Sequence, residues 1–258
     1  MNTEEERVLR NSGVVPDNPF SDGMFVVIDK PYGRTSFDVV YKFRNTLSRA
    51  LNVKRMKVGH AGTLDPLATG VVVICTGKYT KRIEEVQKQE KVYHATLKLG
   101  ETTPSYDLEK EVDATYPIDH VTEEMVKEVL TQFEGEIKQV PPIFSAVKVS
   151  GRRAYDLARK GKEVVLEPKL VHIHEITLES FELPYFTIKI TCGKGTYIRS
   201  LARDIGEALN SGAHLTALRR TRVGEFRVED AIGEDQFEEF ILNKLNGNNY
   251  NTRYIEIK

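Results

Sequence analysis

The sequence predicts an α+β fold built on a mixed, mostly antiparallel central sheet that is flanked by helices and loops. Apolar, β-branched runs typical of strands outnumber segments with helical periodicity, and short turns join most of them. At 258 residues the chain can bury a sizeable core. Its 40% hydrophobic and 29% charged residues are an ordinary balance for a globular protein.

The hydrophobic pattern predicts elements along most of the chain. Strands are predicted at 24–29, 70–75, 92–99, 170–183, 186–192 and 214–223. Ser36 and Thr196 are the predicted N-caps of two helices, and further helices are expected at 122–133 and 237–245. Residues 78–88 are predicted to form a polar helix or turn. Residues 1–23, which are polar and contain two prolines, are expected to be a flexible tail.

Net charge, cysteine positions and hydrophobic runs limit the classes of protein to which this sequence can belong. The net charge of −1 does not indicate a general polyanion binder, so any nucleic-acid surface must be local. Cys75 and Cys192 lie in apolar strands and are expected to be buried, reduced thiols. We find neither a secretion signal nor an apolar run long enough for a membrane span, and therefore expect a cytoplasmic protein without membrane contact.

Residues 58–81, VGHAGTLDPLATGVVVICTGKYTK, are the most informative stretch. Glycines, a proline and threonines surround one carboxylate, Asp65, and an apolar strand follows. A rigid turn of this kind suits an acid that must be placed precisely in space. On the turn alone, an Asp that hydrogen-bonds its own backbone would be the favoured interpretation.

The order of residues in this stretch closely resembles the signature of bacterial tRNA pseudouridine-55 synthases, the TruB family. Four further segments resemble that family's motifs in the same order: Lys30-Pro31, the tyrosine of KVYHATLKLGETTPSYD, GKGTYIRSL at 193–201, and GAHLTALRR at 212–220. The resemblance covers nearly all of residues 24–232. It implies the pseudouridine synthase fold and a catalytic domain at 24–233.

The implied activity is that of an isomerase that converts the uridine at position 55 in the T loop of tRNA to pseudouridine. No cofactor and no metal are required. In the family the Asp of this signature is catalytic, which assigns Asp65 here. Its route stays open, because it could attack the sugar or the base, or remove a sugar proton.

The resemblance also assigns supporting roles. Arg199 is expected to pair with Asp65 through a bidentate fork, and Tyr93 to stack on the flipped uracil. Tyr197 is expected to support the pocket through its hydroxyl, and Leu218 to form an apolar wall. His60 corresponds to a family residue that fills the space left by flipped nucleotides. Lys30 is expected to contact RNA phosphate, to brace the Asp loop, or to be an ordinary lysine of the turn.

Bases concentrate beside these motifs, whereas acids dominate residues 101–136. We expect RNA-backbone contacts from cations that flank the motifs, namely Arg55, Lys57, Lys148, Arg152, Arg153, Lys194, Arg219 and Arg220. The partner that the resemblance implies is tRNA, through its T stem-loop, and the protein is expected to be a monomer without an obligate protein partner. Many family members append an RNA-binding PUA domain. The 36 residues after Arg222 are too few for one, so 234–258 is expected to be a short helical segment.

Two other classes of protein fit the sequence less well than the enzyme. An RNA-folding protein that opens and releases the tRNA elbow would need no placed carboxylate, although the two roles are compatible. A glycine-loop phosphate hydrolase fits poorly, because no Walker-type lysine follows the loop and no acid cluster is available for Mg²⁺.

Overall fold

The computed structural model describes residues 18–145, 148–149, 152–153 and 166–247. It divides the chain into two compact units, of which unit 1 contains Met1–Gln89 and Arg220–Lys258, and unit 2 contains Glu90–Arg219. The sequence predicted one domain over 24–233 and did not anticipate this division. The part of the predicted tail before residue 18 lies outside the described residues, as do residues 248–258.

Unit 1 is discontinuous in sequence. Its first part contains α1 (Pro19–Asp22), β1 (Phe25–Lys30), α2 (Ser36–Ala50), β2 (Val58–His60), β3 (Thr69–Thr76), a 3-10 helix (Gly77–Arg82) and α3 (Ile83–Lys88). Unit 2 contains β4 (Lys91–Leu99), β5 (Glu101–Thr102), β6 (Ala114–Thr115), α4 (Glu123–Thr131), β7 (Gly135–Gln139), β8 (Lys148–Val149), β9 (Arg152–Arg153), β10 (Lys169–Glu182), β11 (Tyr185–Cys192) and α5 (Ile198–Ala208). Strand β12 (Ala213–Val223) leads back to unit 1, which ends with β13 (Phe226–Arg227), a 3-10 helix (Val228–Asp230) and α6 (Phe237–Leu245).

Strand β3 is apolar along nearly its whole length because unit 1 covers both of its faces. It pairs with β1 and with β2 in antiparallel fashion. Ile74 packs into one core cluster with residues of α2 and α6, whereas Val71, Val73 and Cys75 pack into a second cluster with Phe226. A strand that is buried on both faces has no polar positions, which explains the continuous apolar run in the sequence.

Helix α2 begins one residue earlier than predicted. Thr35, and not Ser36, is the N-cap, because its hydroxyl accepts a hydrogen bond from the Asp38 amide and the Asp38 carboxylate accepts one from the Thr35 amide. Val39, Val40, Phe43 and Leu47 form the buried face of the helix. Ser36 is thereby released for another contact.

The two ends of the described chain pack into the same core, which corrects two predictions. Phe20 is fully buried, and its ring lies 6.4 Å from that of Phe43, so residues 18–23 are not a loose tail. The predicted helix at 237–245 is confirmed, but it is an integral part of unit 1. Phe237 and Phe240 of that helix contact Phe43 edge-on or at a tilt.

Unit 2 contains an antiparallel sheet in the order β4-β11-β10-β7. The sequence predicted the first three of these strands and missed β7, whose polar composition hides it. Helix α5 buries the predicted apolar stripe, which includes Ile198, Leu201 and Ile205. Its N-cap position is Tyr197 instead of Thr196, whose hydroxyl donates to the Gly193 carbonyl.

The α+β class with a mixed, mostly antiparallel sheet is confirmed. The named strand pairs are antiparallel, and a parallel bridge joins Ile28 to Ile232. Within the described residues, no helix is both long enough and apolar enough to cross a membrane.

Candidate active site

The loop between β2 and β3 carries Asp65 between buried neighbouring residues. Asp65 is partly exposed, whereas Leu64 before it and Ala68 after it are buried. The Ala68 amide donates to the Asp65 carbonyl at 3.1 Å and closes a tight turn. Gly70 ends the loop at φ +104°, where an added Cβ would lie 2.1 Å from the Arg220 carbonyl oxygen, so only glycine fits.

The segment from Lys30 to Ser36 pins this loop from one side. The Lys30 ammonium donates to the carbonyls of Pro66 (3.2 Å), Pro31 (3.0 Å) and Arg34 (2.6 Å). The Gly33 amide donates to the same Pro66 carbonyl at 2.9 Å. The Ser36 hydroxyl accepts from the Leu64 amide at 2.9 Å and lies 3.0 Å from the Leu64 carbonyl, to which it donates. The residues on each side of Asp65 are therefore fixed.

Arg220 holds the other side of the loop. Its guanidinium donates to the carbonyls of Val71 (2.8 Å), Gly62 (3.2 Å) and Thr63 (3.3 Å). Only 2% of its surface is exposed, so it is not available to an RNA phosphate. The prediction of an RNA-backbone contact is wrong for this residue, because three backbone carbonyls use the guanidinium inside the protein.

Lys30 is a brace and not a surface contact. The side chain is fully buried and donates to the Pro66 carbonyl, as expected for loop support and not for a phosphate contact or an ordinary lysine of the turn. Burial lowers its pKa to about 8. The Asp65 charge opposes that shift, and the nearby Arg220 cation adds to it. Two buried cations, Lys30 and Arg220, thus bind the backbone of the loop that carries Asp65.

His60 lies at the end of β2, just before the loop. Burial lowers the pKa of its imidazole; a hydrogen bond with the Gly62 backbone partly opposes this, and the Arg220 cation adds to it. The ring is therefore neutral at pH 7. A neutral ring suits contact with bases better than contact with phosphates.

Arg199 lies in unit 2, in the first turn of α5. It is only 4% exposed and is therefore not a surface arginine. Its guanidinium donates to the carbonyls of Phe144 (2.9 Å) and Ser105 (3.3 Å), and its Nε lies 3.8 Å from Asp107. These contacts fix the side chain in one orientation.

The remaining predicted pocket residues of unit 2 lie on three elements. Tyr93 is 8% exposed on β4 and pairs in register with Ile190. The Tyr197 amide donates to the Gln139 side-chain oxygen at 2.8 Å, which anchors the start of α5 to the end of β7. Tyr197 and Leu218 are both partly exposed.

The predicted RNA-binding cations differ in exposure. Arg55, Lys57 and Lys194 are exposed, and Arg219 is partly exposed. Lys148, Arg152 and Arg153 belong to the β8–β9 pair, in which Lys148 lies opposite Arg153, but their side chains lie outside the described residues.

Sequence reasoning missed Ser36 as part of the site. The sequence contained one sign of this role. Thr35 and Ser36 are adjacent hydroxyl residues, and because a helix needs only one N-cap, the hydroxyl of the other is available for a different contact. For metal binding, the described portion of the chain contains no group of three or more His, Cys, Asp or Glu side chains that could hold an ion.

Comparison with protein families identifies the class. Residues 48–198 match the family model described as TruB family pseudouridylate synthase (N terminal domain). Residues 199–254 match the model described as tRNA pseudouridylate synthase B C-terminal domain. The fold and the loop thus define a pseudouridylate synthase.

Curated relatives agree with that class. Proteins named tRNA pseudouridine synthase B from Phocaeicola vulgatus and Parabacteroides distasonis are 61% and 58% identical over 222 residues, which cover 86% of this chain and 94% of each relative. The protein of the same name from Clostridium kluyveri is 47% identical over 80% of this chain and 68% of the relative. The chain belongs to the TruB family.

Solved structures show the same fold. A chain in the crystal structure of a Cbf5-Nop10-Gar1 complex aligns with a TM-score of 0.67 and 30% identity, covering 89% of this chain and 58% of that chain. A chain in an H/ACA RNP bound to a substrate RNA aligns with a TM-score of 0.62 and 28% identity, covering 87% and 56%. This chain therefore spans less than two thirds of the length of those two structural neighbours.

The buried ammonium of Lys30 predicts a pH-dependent stability. Between about pH 8 and 10.5 the folded protein has released the Lys30 proton and the unfolded chain has kept it. The free energy of unfolding of the wild type should therefore rise with pH, relative to Lys30→Met, by about 1 kcal/mol per pH unit in this window. Urea unfolding at several pH values measures the difference. Lys57→Met, which removes an exposed ammonium, is the control, and a constant difference for Lys30→Met would contradict the assignment.

Proposed function

We propose that this chain isomerises the uridine at position 55 in the T loop of tRNA to pseudouridine, with Asp65 as the catalytic residue. One observation carries the assignment to this acid: Asp65 is held on a loop whose neighbouring carbonyls bind two buried cations, while its own side chain is partly exposed. A protein that only bound RNA would have no need for a carboxylate placed in this way. The relatives named tRNA pseudouridine synthase B support the substrate.

The reaction requires positioning and no electron transfer. The bond between the ribose and N1 of uracil breaks, the base turns, and C5 bonds to the same ribose carbon. The proton on C5 is lost and N1 gains one, so the product is an isomer. Asp65 acts either as a nucleophile on the sugar or base, or as the base that removes a sugar proton.

The target base must leave the stack before Asp65 can reach it. We assign Tyr93 as the aromatic platform for the extruded uracil and His60 as the ring that occupies the vacated space. The neutral state of His60 at pH 7 supports that role, since an uncharged ring stacks among bases without needing a counter-ion. Tyr197 and Leu218 complete the pocket in this proposal.

Arg199 is proposed to orient Asp65 during the reaction. Its burial and its contacts with Ser105 and Phe144 support this role, because a guanidinium fixed in one orientation can form a directed fork with a carboxylate. Asp65 belongs to unit 1 and Arg199 to unit 2, so the pairing rests on the family motifs. We expect the enzyme to work in the cytoplasm on the tRNA T stem-loop.

Asp65→Asn tests the central assignment. The variant should bind unmodified tRNA transcript with near-normal affinity, yet form pseudouridine at least about a thousandfold more slowly, because the amide is neither a nucleophile nor a base. Nucleotide-resolution mapping and single-turnover rates measure this. Asp22→Asn, which alters an exposed acid paired with Lys78, is the control. Appreciable single-turnover activity in Asp65→Asn would remove Asp65 from the chemistry.

Arg199→Lys separates orientation from binding. The lysine keeps the charge but loses the fork, so the chemical step should slow about a hundredfold or more while the Kd for tRNA stays within about threefold. Arg203→Lys, one turn further along α5, is the matched control. A normal rate with weakened binding would make Arg199 a phosphate contact instead.

Arg220→Lys tests whether the loop brace serves catalysis. A lysine lacks the guanidinium fork whose three separate nitrogens reach the Val71, Thr63 and Gly62 carbonyls, so the loop should shift and kcat should fall about ten- to a hundredfold with little change in Kd. Arg222→Lys, on the same strand, is the control. Equal losses in affinity and rate, or a normal kcat, would reduce Arg220 to a purely structural residue.

A further inference from the structure

A basic groove in unit 1 is not used by the chemistry described above. It lies along α2 and the turn after it, has a volume of about 990 Å³, and is lined by both cations and side-chain amides. We call it the α2 groove and define it by six of its residues: Arg34, Lys42, Asn45, Arg49, Asn52 and Lys54.

The charge of the α2 groove favours a polyanion. Four of its lining side chains are cationic, and Arg49 and Lys54 are exposed. Glu234 lies beside the groove and forms ion pairs with Arg34 (3.4 Å) and Lys42 (3.0 Å). Asp38 also interacts electrostatically with Arg34. Two acids cannot neutralise four cations, so the groove keeps a positive surplus.

Aromatic side chains beside the groove favour nucleic acid over other polyanions. Tyr41, which lines the groove, and Phe37, which stacks against Tyr41, are 54% and 62% exposed, although large rings are normally buried. The rings of Phe37 and Tyr41 stack at 6.3 Å with an interplanar angle of 23°. Exposed rings next to cations are the usual platform for unstacked bases, and the amides of Asn45 and Asn52 add hydrogen-bond donors and acceptors.

The position of the groove relates it to the catalytic loop. At one end, Arg34 follows Gly33, whose amide binds the Pro66 carbonyl next to Asp65. Helix α2 has 15 residues and is therefore about 22 Å long, and Lys54 follows its far end. RNA whose T loop is held at Asp65 must extend well beyond that loop to reach the distant end, so we assign this end to another segment of the tRNA.

We propose that the α2 groove binds the backbone of a tRNA segment outside the T arm. This inference rests on the proposed function, because it assumes that the T loop occupies the Asp65 site. The groove contributes affinity for the whole tRNA and takes no part in the isomerisation.

Two double variants with the same change in net charge test the proposal. Arg49→Ala with Lys54→Ala removes two cations from the distant end of the groove. Lys88→Ala with Lys127→Ala removes two lysines outside the groove and is the control. Binding is measured against salt concentration with unmodified whole tRNA and with a minihelix that carries only the T arm. The groove variant should weaken whole-tRNA binding about tenfold and lower the salt slope by one to two, since each lost phosphate contact changes it by roughly 0.7–0.9. Minihelix binding, and all binding by the control, should stay within about twofold.

Glu234→Gln provides a test in the opposite direction. Without that acid, Arg34 and Lys42 are released, so whole-tRNA binding should tighten a few-fold and its salt dependence should steepen, whereas Glu136→Gln should have no such effect. An unchanged Kd and slope for whole tRNA in the groove variant would overturn the proposal, as would an equal loss with the minihelix. Pseudouridine formation by the wild type on both RNAs is measured separately. Its absence would refute the proposed function, while the binding comparison would still decide the groove.

Discussion

The site depends on buried cations that bind backbone carbonyls instead of carboxylates. Lys30 and Arg220 each donate to three carbonyl oxygens, and together they hold residues on both sides of Asp65. A buried charge is tolerated only when polar partners replace the lost water, and a loop rich in unpaired carbonyls supplies them. Each part therefore needs the other: the cations stabilise the loop, and the loop makes their burial possible.

The sequence predicted those elements whose signal is local. Strand β3 and helix α6 were found because their apolar patterns are strong and need no distant partner to be recognised. The burial of Arg220 could not be predicted from its local sequence, because a strand with three neighbouring arginines has the pattern of a phosphate-binding surface. Its acceptors lie about 150 residues away in the sequence, the Val71 carbonyl being 149 positions distant.

The sequence located the starts of α2 and α5 to within one residue, but it did not identify the correct N-cap residue of either helix. Thr35 and Ser36 are both good N-cap residues, and the choice depends on which backbone is extended at the helix start. At the start of α5 the reason is different: Thr196 is a preferred N-cap residue, but its hydroxyl donates to the Gly193 carbonyl, and Tyr197 takes the N-cap position without a side-chain hydrogen bond. Phe20 was missed for another reason, because a four-residue helix is too short to show any periodicity and its core partners lie on α2 and α6.

The discontinuity of unit 1 has a consequence for biosynthesis. A ribosome releases α1, β1, α2 and β3 first, then all of unit 2, and only then the strand with Arg220 and the helix with Phe237 and Phe240. Until that late segment emerges, Phe43 lacks two of its aromatic neighbours and the Asp65 loop lacks its guanidinium. Unit 1 therefore cannot complete its folding before residues 220–245 have been synthesised, in contrast to the N-to-C order usual for domains.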